Sequence, residues 1–182
     1  MPSLPRVPRA LPASVLGLVL AVVVAGCTPP SSGASPSGQA SAGGQPVLSL
    51  TDVDVEPLEI REETVAIAFD ADAAAPLVTE VPAEVDFDEH ALACVFLGPR
   101  LTSGWSLDLR TASLSGGELR IRARETAPRT ETEAQETYPA DCALLTRAAL
   151  PVGELRVWAD DTVTDEFIAE AMIEVPPPSS AE

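Results

Sequence analysis

The chain has 182 residues, of which 28 are acidic and 11 basic, every basic one an Arg, for a formal net charge of −17. That length holds one domain with flanking segments. That charge excludes an ordinary nucleic-acid binder, because phosphates would be repelled with no basic surface to release their counterions. One His and three Cys leave little for a transition-metal site, and nothing in the sequence asks for a cofactor.

Arg6 and Arg9 precede an uncharged apolar run from Leu11 to Ala25, which closes on Val24-Ala25-Gly26-Cys27. The run suits the core of a signal peptide and is short for a bilayer span of about 20 residues. Small residues let the chain enter a peptidase in extended form, and a Cys directly after them can carry lipid on its thiol. Together these residues resemble a bacterial lipoprotein signal over 1–26, with Cys27 as the lipidated first residue of the mature chain. The alternatives are an ordinary secretory signal or an uncleaved anchor. On the lipoprotein reading the protein sits in the bacterial cell envelope, extracytoplasmic, and its first partner is the membrane through lipid on Cys27. Loss of Arg6 and Arg9 takes the charge from −17 to −19, so the domain itself is pushed from an anionic leaflet.

Thirteen of the nineteen residues from 28 to 46 are Pro, Ser or Gly, and none has an apolar side chain larger than Ala. Nothing there offsets the entropy of ordering, so the segment reads as a flexible tether spanning roughly 25 Å on average. The closing segment 176–182 (PPPSSAE) reads as a disordered tail. Residues 47–175 remain as a single domain.

That domain reads as mainly β, an antiparallel sandwich or a barrel-like unit. Val47 to Val55 alternates in part. Thr64 to Phe69 puts Val65, Ile67 and Phe69 on one face. Asp86 to Leu92 fits a short helix capped by Asp86 or Asp88. Leu92 to Leu97 is a continuous apolar run, fit for a buried central strand. Gly104 to Arg110 sets Trp105, Leu107 and Leu109 on one face, which places the indole in the core. Ser115-Gly116-Gly117 is a hairpin turn signal, and Glu118 to Arg124 continues with Leu119, Ile121 and Ala123 inward. Thr126 to Pro139 is polar and long for a hairpin loop. Its length favours a solvated insertion, and the sharper alternative is a recognition loop. Leu155, Val157 and Ala159 alternate again. So do Phe167, Ala169, Ala171, Ile173 and Val175.

Outside the cytoplasm two leftover cysteines tend to pair. A Cys94–Cys142 bridge would close a loop of about 48 residues, which chain entropy credits with roughly 4 kcal/mol. The alternative is two buried free thiols. His90, the lone imidazole, lacks a nucleophile signature such as G-x-S-x-G and reads as solvent-facing or capping. Carboxylates cluster at Asp52/Asp54/Glu56, Asp70/Asp72, Asp86/Asp88/Glu89 and Asp160/Asp161/Asp165/Glu166. None has the spacing of a calcium loop, so they read as solvated faces. No catalytic set emerges, and the expectation is a protein without enzymatic activity. An acidic surface predicts a partner with a basic patch and an association that weakens with salt.

Several motifs follow one another in a familiar order. Val85-Asp86-Phe87 is followed by Ala93 to Gly98, an apolar strand ending Phe96-Leu97-Gly98. The turn Pro99-Arg100-Leu101-Thr102-Ser103-Gly104-Trp105 follows, then Leu119 to Glu125, Ala127-Pro128 and Cys142. Residues 84–158 in this order resemble the C-terminal domain of the PrcB family of protease-complex subunits. Leu101 stands where Pro is usual, Ser103 where Gly is, and Trp105 where Tyr is. The resemblance implies a non-catalytic envelope accessory protein that binds or helps assemble a subtilisin-like protease. Its partner-binding candidates are Arg100, Thr102 and Trp105. Thr102-Ser103-Gly104-Trp105 is also similar to a loop of chagasin-type protease inhibitors, which are immunoglobulin-like sandwiches. That similarity implies an inhibitor acting through the 98–105 turn and the 126–139 loop. A structural envelope lipoprotein is a further alternative.

Overall fold

The structure is a computed structural model that describes residues 46–129 and 133–178. The signal-like segment, Cys27, the tether through residue 45, residues 130–132 of the 126–139 loop and residues 179–182 of the tail lie outside the described residues. Nine strands are described: β1 (Val47–Leu48), β2 (Leu50–Asp52), β3 (Glu63–Ala68), β4 (His90–Leu97), β5 (Ser106–Ser115), β6 (Glu118–Thr126), β7 (Ala140–Thr146), β8 (Gly153–Asp161) and β9 (Phe167–Val175). They form a five-stranded sheet in the order β1-β5-β6-β8-β9 and a four-stranded sheet in the order β2-β7-β4-β3. The fold is therefore a β sandwich. It is not wholly antiparallel: β6 and β8 run parallel, because β7 between them in sequence crosses to the other sheet.

The alternating strands supply the layer between the sheets. Leu107, Leu109, Leu119, Ile121, Leu155 and Val157 from one sheet meet Val65, Ala93, Val95 and Leu145 from the other, all buried. Strand β4 is buried on both faces, as its continuous apolar run requires. Its odd residues face the inter-sheet core, while Leu92, Cys94 and Phe96 face outward into a second core. Two excursions, 53–62 and 69–89, close over that outer face with Val53, Val55, Ile60, Leu77, Val78, Val81 and Phe87. They are stitched together where the Leu58 amide donates to the Leu77 carbonyl at 2.9 Å and the Thr79 amide to the Glu56 carbonyl at 2.8 Å.

Cys94 and Cys142 lie directly opposite each other on β4 and β7 and form a disulfide, with Cα atoms 4.1 Å apart. The free-thiol alternative is set aside. Both cysteines are buried in the second core.

The short helix lies elsewhere than expected. It is α1 (Ala71–Ala74), where the Asp70 carboxylate accepts from the Ala73 amide at 2.7 Å. Asp86 does cap a turn, accepting the Asp88 amide at 2.9 Å. That turn ends at once, because His90 enters β4 and its neighbours pair with β7.

Two bulges reset the alternation. Arg110 is extra in β5, so the inward set passes from Leu107 and Leu109 to Ala112. Asp141 on β7 accepts the Leu109 amide at 2.7 Å beside this bulge and ties the two sheets together. Ile168 is extra in β9, opposite Ala159 and Asp160. One added residue reverses the facing of its neighbour. Phe167 therefore points out, 61% exposed, while Ile168 and Ala169 are buried. The Gly116-Gly117 hairpin forms as its sequence signal indicates, with φ of +61° and +82°.

Candidate binding surface

Arg100, Thr102 and Trp105 come together at one end of the sandwich. Gly98, with φ of +65°, leads into them, and a Cβ there would lie 3.1 Å from the Arg61 carbonyl oxygen. The Arg100 guanidinium donates from Nη1 to the Leu97 carbonyl at 2.7 Å and from Nε to Glu125 at 2.9 Å. It also lies 3.6 Å from Glu63 and 5.8 Å from the centre of the Trp105 ring. The indole Nε1 donates to the Thr102 hydroxyl at 3.1 Å. Trp105 precedes β5 and is half-buried outside the inter-sheet core. This overturns its expected place beside Leu107 and Leu109. The polar indole N–H has a partner within the turn, and the ring lies within cation–π range of the Arg100 guanidinium.

The same turn is pinned to the segment that follows β6. The Arg100 amide donates to the Thr137 carbonyl at 2.8 Å, and the Thr137 amide returns to the Arg100 carbonyl at 2.9 Å. The Thr137 hydroxyl reaches the Thr102 carbonyl at 3.1 Å. The Ser103 amide donates to the Glu133 carbonyl at 3.3 Å. The two loops of interest are thus neighbours, joined by a short antiparallel bridge.

Trp105 also borders a shallow groove of 330 Å³ with Arg124, Glu125, Asp161, Val163 and Thr164. Asp161 builds the opposite wall. It is buried, and its carboxylate accepts the amides of Val163 and Thr164, both at 2.7 Å, and of Glu125 at 2.9 Å. Burial pushes this carboxyl up, but the amides of Glu125, Thr164 and Val163 outweigh that and hold it below the usual range. The result is a fixed turn that lifts Val163 into solvent, 69% exposed. Arg124 is exposed, and its side chain has no ion-pair or hydrogen-bond partner among the described residues. The groove therefore offers an indole, an isopropyl group and, among the described residues, a guanidinium without a side-chain partner.

The carboxylates at 160–166 are only partly the solvated face expected of them. Asp160 is 1% exposed and Asp161 5%. Asp160 lies under the side chains of β6: Arg120 and Arg122 both pair with it, and Arg120 stacks 4.6 Å from the Trp158 ring. Its hydrogen bond to Asp160 raises the Arg120 pKa. The Asp161 turn has a readable signal in its Asp-x-x-Thr spacing, which suits a side chain capping the backbone. Arg124 has none, since it shares its alternation with Arg120 and Arg122. His90 sits half-buried at the start of β4, its amide donating to the Asp86 carbonyl at 2.8 Å. Among the described residues no three His, Cys, Asp or Glu converge in a way that could hold a metal ion. No helix among them is long and apolar enough to cross a membrane. Comparisons with protein-family models, curated proteins and solved structures find no match to this chain.

Proposed function

We propose that this protein is a lipid-anchored, extracytoplasmic binding domain of the bacterial envelope that engages another protein through the groove beside Trp105. The carrying observation is that Trp105 and exposed Val163, on supports that are hydrogen-bonded in place, stand beside Arg124, whose side chain has no ion-pair or hydrogen-bond partner among the described residues. Aromatic and Arg side chains are what protein interfaces favour as anchors, and an indole already hydrogen-bonded in place loses little entropy when it is covered. The buried Cys94–Cys142 bridge supports an oxidising compartment. The resemblance to the PrcB family supports an accessory or assembly role for a subtilisin-like protease. No nucleic acid and no cofactor enter this reading.

A protease inhibitor is the second reading. It is favoured by one observation: the 98–105 turn and the segment after β6, the two loops it would insert, are bridged through Arg100 and Thr137.

The test is capture from the envelope fraction of the source organism by the immobilised protein, with Trp105→Ala and Arg124→Glu as folded controls. The expected result is a subtilisin-like protease retained by the native chain and lost from both variants. A proteolysis assay with the captured enzyme then separates assembly from inhibition. A retained set identical for all three proteins would remove the groove from the proposal.

A further inference from the structure

At the far end of β7, Arg147 begins the 3-10 turn Arg147–Ala149 and is only 8% exposed. Its guanidinium has no carboxylate within ion-pair distance among the described residues. Its hydrogen bonds go to carbonyls: Nη1 donates to Phe87 at 2.7 Å and Phe69 at 3.3 Å, and Nη2 to Pro177 at 3.1 Å, while the Phe69 ring centre lies 5.7 Å from the guanidinium carbon. Nε is buried with no hydrogen-bond partner. Buried charges are ordinarily paired, since carbonyl dipoles offset only part of the lost hydration. A guanidinium has five N–H donors, and three are used here.

This cation borders a cavity of 290 Å³ whose walls are otherwise mostly apolar: Leu150, Val152, Val175 and Pro178, with exposed Asp88 on its lining. That volume is at the small end of ligand pockets, which start near about 300 Å³. We infer that the cavity is a binding site for a small apolar carboxylic acid, its carboxylate on Arg147 and its aliphatic part against Leu150, Val152 and Val175. The match is chemical. An acid supplies the missing counter-charge and an acceptor for the remaining Nη2 donor, and the remaining wall rewards hydrocarbon. Asp88 is the one acidic group on the lining, and its charge opposes the ligand.

The same chemistry has two sources, a free short-chain acid or the C-terminal residue of a peptide. The experiment titrates the full chain with hexanoate, N-acetyl-leucine and N-acetyl-leucinamide, following the methyl signals of Leu150, Val152 and Val175 by NMR. The expected result is saturable shifts with one or both acids and binding weaker by about tenfold or more for the amide, which lacks the charge. The stronger of the two acids names the source. Val152→Trp, which fills the cavity and leaves Arg147 in place, should abolish the shifts. Asp88→Asn should tighten binding. Equal binding of acid and amide, no binding of either acid, or shifts that persist in Val152→Trp would each overturn the site. So would saturable acid binding that appears only after residues 179–182 are removed, which would assign the cavity to the chain's own acidic end.

Discussion

The two sheets of this sandwich use their strands differently. In the four-stranded sheet β4 is covered on both faces, by the other sheet and by the excursions 53–62 and 69–89. In the five-stranded sheet only one face is covered. Its other face is a lattice of ion pairs, with Arg156 between Glu118 and Glu170, Arg120 on Asp160, and Trp158 among them. The difference separates two kinds of stabilisation. The covered sheet relies on apolar burial and a covalent bridge, whereas the open face makes polar pairs, of which the exposed ones around Arg156 contribute little net in water.

The contrast can be tested by breaking each side in turn. Phe96→Ala, in the second core, should cost about 3–5 kcal/mol in denaturant unfolding, as for other buried aromatic deletions. A loss near zero would mean that the excursions are only loosely laid on the sheet. Replacing Cys94 and Cys142 together by Ala should cost about 2–4 kcal/mol, with the closed loop of 48 residues as the reason. Reduction of the native protein should be slow without denaturant, because both cysteines are buried. Asp161→Asn should cost about 1–3 kcal/mol by leaving backbone amides unsatisfied.

That last change also carries a pH signature. The Asp161 carboxyl is held below the ordinary aspartate value of 3.8. Its contribution is fully present above that value and is lost as pH falls through the lower folded value. Asp141 has the opposite sign. Burial raises its pKa, so its ionisation weakens the fold as pH climbs from 3.8 through the raised value. Asp161→Asn should therefore flatten the acid limb of the stability curve, measured by unfolding at several pH values. An unchanged limb would remove Asp161 as its source. The smallest effect belongs to the open face. Arg156→Ala should cost less than about 1 kcal/mol, and less still in high salt, because both its pairs are about half-exposed.

This contrast also explains what could be read from the chain. Strands on the open sheet alternate, and Glu118 to Arg124 announces both its strand and its inward face. The continuous run from Leu92 to Leu97 announces a strand covered twice. Bulges are silent in such a pattern, since an extra Arg110 or Ile168 looks like any other residue. Alternation alone therefore sets Phe167 on the same face as Ala169, and the bulge separates them. The placement of α1 over the helix expected at 86–92 turns on competition for the same residues: His90 is worth more to the sheet as a pairing residue than to an isolated turn. At the candidate site the turn at 98–105 is legible through Gly98, Thr102 and Trp105. Its neighbours Arg124 and Val163 are not, because they arrive from β6 and from the turn after β8, distant in sequence. Arg147 is equally hidden. Its significance lies in the carboxylate it lacks, and pairing is a property of the folded chain alone.

The chain enters the sandwich through a stretch that serves both sheets. Val47 and Leu48 pair with β5, and after Ser49 the next three residues pair with β7. A mechanical load arriving through the residues before Pro46 therefore meets these five paired residues first. Their release would open an edge on each sheet at once while β4, β7 and the disulfide stayed intact. The domain would then stretch before it unfolds, yielding a few residues of slack at low force with its groove and its buried bridge undisturbed.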